Sequence, residues 1–339
     1  MSGFEEPTID AAEAQRTVGA VDLTLTDDPA VIVSPDAPGA PTEPVLDPDD
    51  PRTSLQTRVR AALLALPGEF EFGNPISGVA ATDLFNLNTL LGAGIEVEVV
   101  RTLNKLRSMW DPDEEWLGYR FERSSQAFPD VRLVRRDQGT DEIALGIELK
   151  GWWLLSKEGE PSLRFQVTPE ACAPHDLVCV VPWHLSDAVA GIPQVIEPWV
   201  KSARYAAEFR DYHWQHVRNV RDASTDTTID HPEGAAPYPS KADLVVAKPR
   251  QDGGNNFGRL PRSHPLMDDF LARSKEHEVL GIAVGSWITF LRRHSDNATP
   301  AEVSEYLQRQ LKSHVKKIAP GTAEELLALM ARMGELLTP

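Results

Sequence analysis

Asp130, Glu148 and Lys150 are the residues whose types and spacing could do chemistry. Two carboxylates are hard oxygen ligands suited to Mg²⁺, and an ammonium beside them can orient a water and offset negative charge developing on a phosphoryl group. Phosphodiester hydrolysis asks for that combination: an attacking water, neutralisation of charge in the transition state, and help for the leaving oxygen. The backbone carbonyl of Leu149 could complete the protein's share of an ion's coordination shell. The plainer alternative is a surface hairpin in which the same side chains form a cross-strand salt bridge, worth roughly 0–1 kcal/mol.

The elements that must position these residues are legible nearby. Residues 143–150 alternate, with Ile143, Leu145, Ile147 and Leu149 on one face and Ala144, Gly146, Glu148 and Lys150 on the other, which predicts a half-buried strand. Residues 131–135 predict the partner strand, and the turn-forming run 137–141 joins the two. A turn centred on Gly139 sets Asp130 opposite Glu148 with Cβ atoms about 5 Å apart, and Lys150 follows on the same face. Upstream, Gly92-Ala93-Gly94 is expected to interrupt a helical pattern over 81–91. A helix is then expected over 95–110, with Ile95, Val99, Leu103 and Leu106 on its apolar stripe and Glu98, Arg101, Thr102 and Lys105 toward solvent. Glu96 lies at the stripe's edge, where a carboxylate can reach an adjacent sheet; it is equally an ordinary first-turn glutamate favoured by the helix dipole.

Pro129-Asp130 followed by Glu148-Leu149-Lys150 resembles the PD-(D/E)XK nuclease superfamily, and within it the restriction-endonuclease-like members. The resemblance covers residues 85–215 or so. It implies a mixed central β-sheet flanked by helices in an α/β fold, with Asp130 and Glu148 as metal-binding carboxylates and Lys150 as the catalytic lysine. Gly92-Ala93-Gly94-Ile95-Glu96 resembles the start of that family's first core helix, which implies Glu96 as a further metal ligand. The implied activity is a Mg²⁺-dependent DNA endonuclease, Mn²⁺ being a possible substitute, of the sequence-specific type II restriction kind that serves phage defence. Duplex DNA and a second copy of the chain are the implied partners, since two copies cut two strands most simply; a cognate methyltransferase is a further possibility. The rival is a non-catalytic DNA-binding or protein-interaction subunit built on the same fold.

The chain of 339 residues carries a net charge of -17, which argues against a nucleic-acid partner until it is divided: residues 1–50 hold -11 of it and the rest -6. Residues 1–52, acidic and Pro-rich, predict a disordered tail, residues 53–262 a nuclease core, and residues 263–339 a helical region packing on the core or serving a dimer or DNA contact. Further strands are expected over 118–123, 162–168 and 176–184, and helices over 54–66, 197–217, 267–278, 279–293, 300–317 and 322–337. His213 and His216 sit three apart on one of these helices, without a third ligand nearby, so packing is their expected role. Between Lys241 and Arg262 the local charge is +3, with glycines and amides interleaved. Lys248, Arg250, Asn255, Asn256, Arg259 and Arg262 are therefore candidate DNA contacts. No apolar run is long enough to span a membrane and no secretion signal is visible. Two cysteines, Cys172 and Cys179, suit a reducing compartment, so the expected location is the cytoplasm.

Overall fold

The computed structural model describes residues 37–76, 87–124, 128–137, 139–218 and 224–295. Its centre is a six-stranded mixed sheet grown from one long strand, β3 (Thr140–Trp153). β2 (Val131–Asp137) pairs antiparallel to β3 on one side and to β1 (Arg120–Arg123) beyond it. On the other side β4 (Leu177–Leu185) runs parallel to β3, Ile147 facing Leu177 and Lys150 facing Val180. The edge of β4 is shared: β6 (Trp199–Ser202) covers Leu177–Val180, and β5 (Pro193–Val195) covers Trp183–Leu185, both antiparallel. Every residue of β4 is buried, as its continuous apolar run requires of a strand covered on both faces.

Helices flank this sheet. α1 (Pro51–Leu64) packs on β3, β6 and the short α4 (Arg107–Trp110), and the one-turn α2 (Leu66–Glu69) follows it. α3 (Leu87–Lys105) lies across β1 and β3 through Ile95, Val99 and Leu103, the predicted stripe. α5 (Ala203–His213) packs on β4 and β6. Beyond it, β7 (Ile229–Asp230) and β8 (Lys248–Pro249) form a small ribbon. α6 (Asp268–Glu276), the hairpin β9 (Glu278–Val279) and β10 (Ile282–Ala283), and α7 (Val284–Ser295) join the same core, with Phe270 against Trp152 at 5.9 Å between ring centroids. Among the described residues no helix is long and apolar enough to cross a membrane.

Several local expectations are corrected. Gly92-Ala93-Gly94 does not interrupt α3, because Gly92 packs against Gly151 of β3 and the helix continues through it. Glu98 and Thr102, expected toward solvent, are buried; Glu98 pairs with Arg101 at 2.5 Å. The helix expected from residue 54 begins at Pro51, where Asp50 caps it by accepting from the Arg52 N–H. The expected disordered stretch ends earlier than residue 52: Glu43 accepts from the Ser202 N–H at 3.0 Å and from Arg60 and Lys201, pinning this segment to β6 and α1. The helix over 197–217 begins only at Ala203, because the exposed edge of β4 takes Trp199–Ser202 as a strand. Residues 162–168 form no sheet strand; they make isolated bridges from Arg164 to Arg259 and from Val167 to Val246. Val279 starts no helix, since Leu280 and Gly281 at positive φ make the two-residue turn of the β9–β10 hairpin. The helices expected over 300–317 and 322–337 lie outside the described residues, as do residues 1–36 and most of 81–91.

Candidate functional site

The β2–β3 hairpin delivers Asp130 to Glu148 by two departures that cancel. Next to the site the register is the predicted one: Val131 faces Ile147, Arg132 faces Gly146 and Leu133 faces Leu145. Past Leu133 it slips, so that Val134 faces Ile143 and Asp137 faces Thr140, leaving Ala144 as the extra residue of a bulge. The turn is therefore not centred on Gly139, and the bulge restores the alignment where the chemistry sits.

Asp130 is held through its backbone as well as its side chain. Its carbonyl accepts from the Ser124 N–H at 2.6 Å, at the end of β1. Its own N–H donates to Glu148 Oε2 at 3.4 Å, and its Oδ2 accepts from the Leu149 N–H at 3.2 Å. In extended backbone a residue's N–H and C=O point to the same side of the strand, so the Leu149 carbonyl also faces Asp130. Glu96 arrives from α3, one helical turn after the Gly92–Gly151 contact, which places its carboxylate within reach of the Gly151 N–H and 3.4 Å from Arg123.

These groups share one electrostatic environment. Burial pushes the Glu148 carboxyl up to about 8, and the negative charges of Asp130 and Glu96 push the same way. Asp130 is also raised by burial, against the Leu149 N–H, Arg123 and Lys150; Glu96 is raised by burial and by Asp130. Among the described residues, Lys150 is the one cation that eases all three acids, half-buried on the same strand as Glu148. Among the described residues the ion pair at this cluster is Arg123 with Glu96, and Lys150 makes none with Asp130 or Glu148, so the cross-strand salt bridge of the plainer alternative is not formed.

Sequence reasoning missed Asp176, which organises the neighbourhood from below. It is fully buried and accepts from the Gly146 N–H at 2.7 Å, the Ala173 N–H at 2.8 Å and the Tyr238 hydroxyl at 2.9 Å. Burial raises its carboxyl to about 6 despite those donors. Gly146 is constrained in turn: a Cβ there would sit 2.4 Å from the Pro129 ring and 2.9 Å from Asp176 Oδ1. Asp176 thus ties β3, two residues before Glu148, to the start of β4 and to the segment carrying Tyr238. The available signal was a lone carboxylate at the head of an otherwise almost wholly apolar run.

The six candidate DNA contacts fall on the β7–β8 ribbon and on the loop that follows it. Lys248 and Arg250 sit on the β7–β8 ribbon, where Arg250 pairs with Asp230 at 3.2 Å. Asn255 is exposed at a positive φ, whereas Asn256, Arg259 and Arg262 line a separate cavity. His213 is buried and its Nδ1 lies 3.2 Å from the His264 carbonyl, a packing role. Cys172 and Cys179 are buried free thiols whose pKa burial raises.

Comparison with protein-family models, curated proteins and solved structures finds no match to this chain. The weight therefore falls on the donor set itself. Among the described residues no three His, Cys, Asp or Glu side chains close into a ready-made metal cage. Asp130 Oδ2 and Glu148 Oε2 are instead engaged by backbone N–H groups. Their chemistry nonetheless fits a hard divalent cation: carboxylate oxygens without sulfur or imidazole, whose ionised form burial and mutual repulsion disfavour and a bound cation would favour.

Proposed function

We propose that this chain is a Mg²⁺-dependent DNA endonuclease with a restriction-endonuclease-like core, acting as a homodimer on duplex DNA. The observation that carries the reading is the convergence of Glu96 from a helix, Asp130 from the start of β2, and Glu148 and Lys150 from β3 into one half-buried, acid-rich cluster. Binding DNA alone would not call for desolvated carboxylates, which repel phosphate and cost stability. Asp130, Glu148 and the Leu149 carbonyl would hold the ion, with Glu96 as a further ligand; Mn²⁺ would serve in place of Mg²⁺. The bound ion supplies charge neutralisation at the phosphoryl group and acidifies water. Lys150 orients the attacking water and offsets negative charge as the phosphodiester opens. Arg123 holds Glu96 in place, and the Ser124 and Leu149 N–H groups hold Asp130.

A non-catalytic DNA-binding or protein-interaction subunit is the rival reading. Titration calorimetry with Mg²⁺ and Mn²⁺ on the wild type and on Asp130→Ala separates the two. The nuclease reading expects binding that the variant loses; a wild type that binds neither ion, with or without DNA, supports the rival.

A further inference from the structure

A second charged region lies apart from the carboxylate cluster. A cavity of about 130 Å³ is lined by Arg210, Arg218, Arg259 and Arg262, together with Asn256 and His213. Its back wall is a ladder of guanidinium and aromatic groups: Arg218 over the Trp214 ring at 4.4 Å, Trp214 against Phe257 at 5.2 Å, and Arg210 over Phe257 at 4.9 Å. Gly258, at φ +83, locks the loop in place; its carbonyl accepts from the Phe165 N–H at 2.7 Å, and a Cβ there would meet Gln166 at 2.6 Å.

The four guanidiniums are not equally neutralised. Arg210 is satisfied by Asp211 at 2.7 Å and by the Phe165 and Val167 carbonyls. Arg262 reaches Glu160 at 2.8 Å and the Asn256 side-chain oxygen at 2.8 Å. Arg218 and Arg259 have no ion pair among the described residues. Asp252, the acid among the described residues whose charge acts on Arg218, makes no ion pair with it and accepts from the Asn256 and Phe257 N–H groups at 2.8 and 3.1 Å. Burial lowers the Arg218 pKa, Asp252 works against this, and Arg262 adds to the lowering. His213 adds no positive charge near neutrality, since burial brings its pKa down to about 4. Among the described residues the four guanidiniums meet three carboxylates, Asp211, Glu160 and Asp252, which leaves the cavity net positive, in a space well below the roughly 300–1,000 Å³ of pockets for whole drug-sized ligands. A single tetrahedral oxyanion matches both its size and its charge, and guanidinium forks are the matched donors for one.

We propose that this cavity binds one phosphate group, either free inorganic phosphate or the terminal phosphate of a nucleic-acid strand, with Arg218 and Arg259 as its principal donors. The proposal does not depend on the carboxylate cluster being a nuclease site.

The test is calorimetry on the full chain with inorganic phosphate, and with a short single-stranded oligonucleotide prepared with and without a 5′-phosphate, each at constant ionic strength. The wild type is expected to bind inorganic phosphate or to prefer the phosphorylated strand. Replacing Arg218 and Arg259 together by Gln should weaken that binding roughly ten- to hundredfold, the worth of one or two charge-assisted hydrogen bonds. Arg273→Gln, at an exposed cation of α6 outside both sites, should leave it unchanged, and Mg²⁺ binding by the Arg218→Gln, Arg259→Gln protein should equal the wild type's, so that failure at this cavity and failure at the carboxylates are told apart. Tighter binding of the phosphorylated strand than of inorganic phosphate assigns a strand terminus; equal or weaker binding assigns the free anion. A wild type that binds no inorganic phosphate and does not discriminate between the strands overturns the proposal, as does a folded Arg218→Gln, Arg259→Gln protein that binds as the wild type does.

Discussion

The hairpin cluster and the arginine cavity bury opposite excesses of charge by different means. At the hairpin, Glu96, Asp130 and Glu148 are held by backbone N–H groups, and burial raises all three carboxyl pKa values, helped at Glu96 and Glu148 by the neighbouring acids. At the cavity, Arg218 and Arg259 are held by a loop and by aromatic stacking, with their surplus positive charge facing an open volume. A carboxylate can take up a proton to escape an unfavourable site, whereas a guanidinium cannot. The acid cluster is thus intrinsically pH-sensitive, and the arginine cavity is insensitive near neutrality. The contrast also implies different ligands: a hard cation at the first, an oxyanion at the second.

The sharpest way to break this contrast is to remove the residue that stabilises only the acid side. Asp176→Ala leaves the Gly146 and Ala173 N–H groups and the Tyr238 hydroxyl without their acceptor, and each unsatisfied buried group costs about 1–3 kcal/mol. Chemical denaturation should show a loss of about 3 kcal/mol or more. An unchanged midpoint would mean that Asp176 does not tie β3 to β4. Gly146→Ala should cost less, about 1–3 kcal/mol of overpacking, as the new Cβ meets Pro129 and Asp176. Because Pro129 precedes Asp130, this variant should also weaken Mg²⁺ binding in calorimetry.

A smaller and more diagnostic effect comes from Glu148→Gln. Glu148 titrates at about 8 in the folded protein, so between its unfolded value and 8 the native state binds more protons than the unfolded one. Stability from this group is therefore fully present at low pH and declines as pH rises through that window. The Gln variant, which has no proton to lose, should gain on the wild type in thermal melts without divalent ions, little at pH 5 and most at pH 8. A gap that is constant with pH would contradict the raised carboxyl. Smallest of all, Arg218→Gln with Arg259→Gln should move stability by only about 0.5 kcal/mol, since neither side chain has an ion-pair partner to abandon among the described residues. A large loss would show that these cations are structural.

How much of this was legible in the sequence follows the distance over which each contact is made. Asp130, Glu148 and Lys150 belong to one hairpin, so alternation and turn residues sufficed to bring them together, although the bulge at Ala144 left no mark that periodicity could detect. Glu96 was reachable because the apolar stripe of α3 fixes which face meets the sheet. Asp176 was not, since its partners are backbone groups and a tyrosine 62 residues away. Trp199–Ser202 looked helical because its apolar spacing continues that of α5, and only the unpaired edge of β4 makes it a strand. The basic loop was recognised from composition. Its division between a paired surface ribbon and a cavity depended on Asp230, Glu160 and Asp252, which lie outside any short motif.

The central claim, that the acid-rich cluster cuts phosphodiesters, is tested most directly by incubating supercoiled plasmid and phage DNA with the purified protein in Mg²⁺, beside an EDTA control and the Lys150→Ala variant. The account predicts nicked or linear products in Mg²⁺ alone, with the variant slower by roughly 10²–10⁴-fold, the worth of a positioned catalytic group. Intact DNA in every substrate tried, or equal cleavage by wild type and Lys150→Ala, would contradict it.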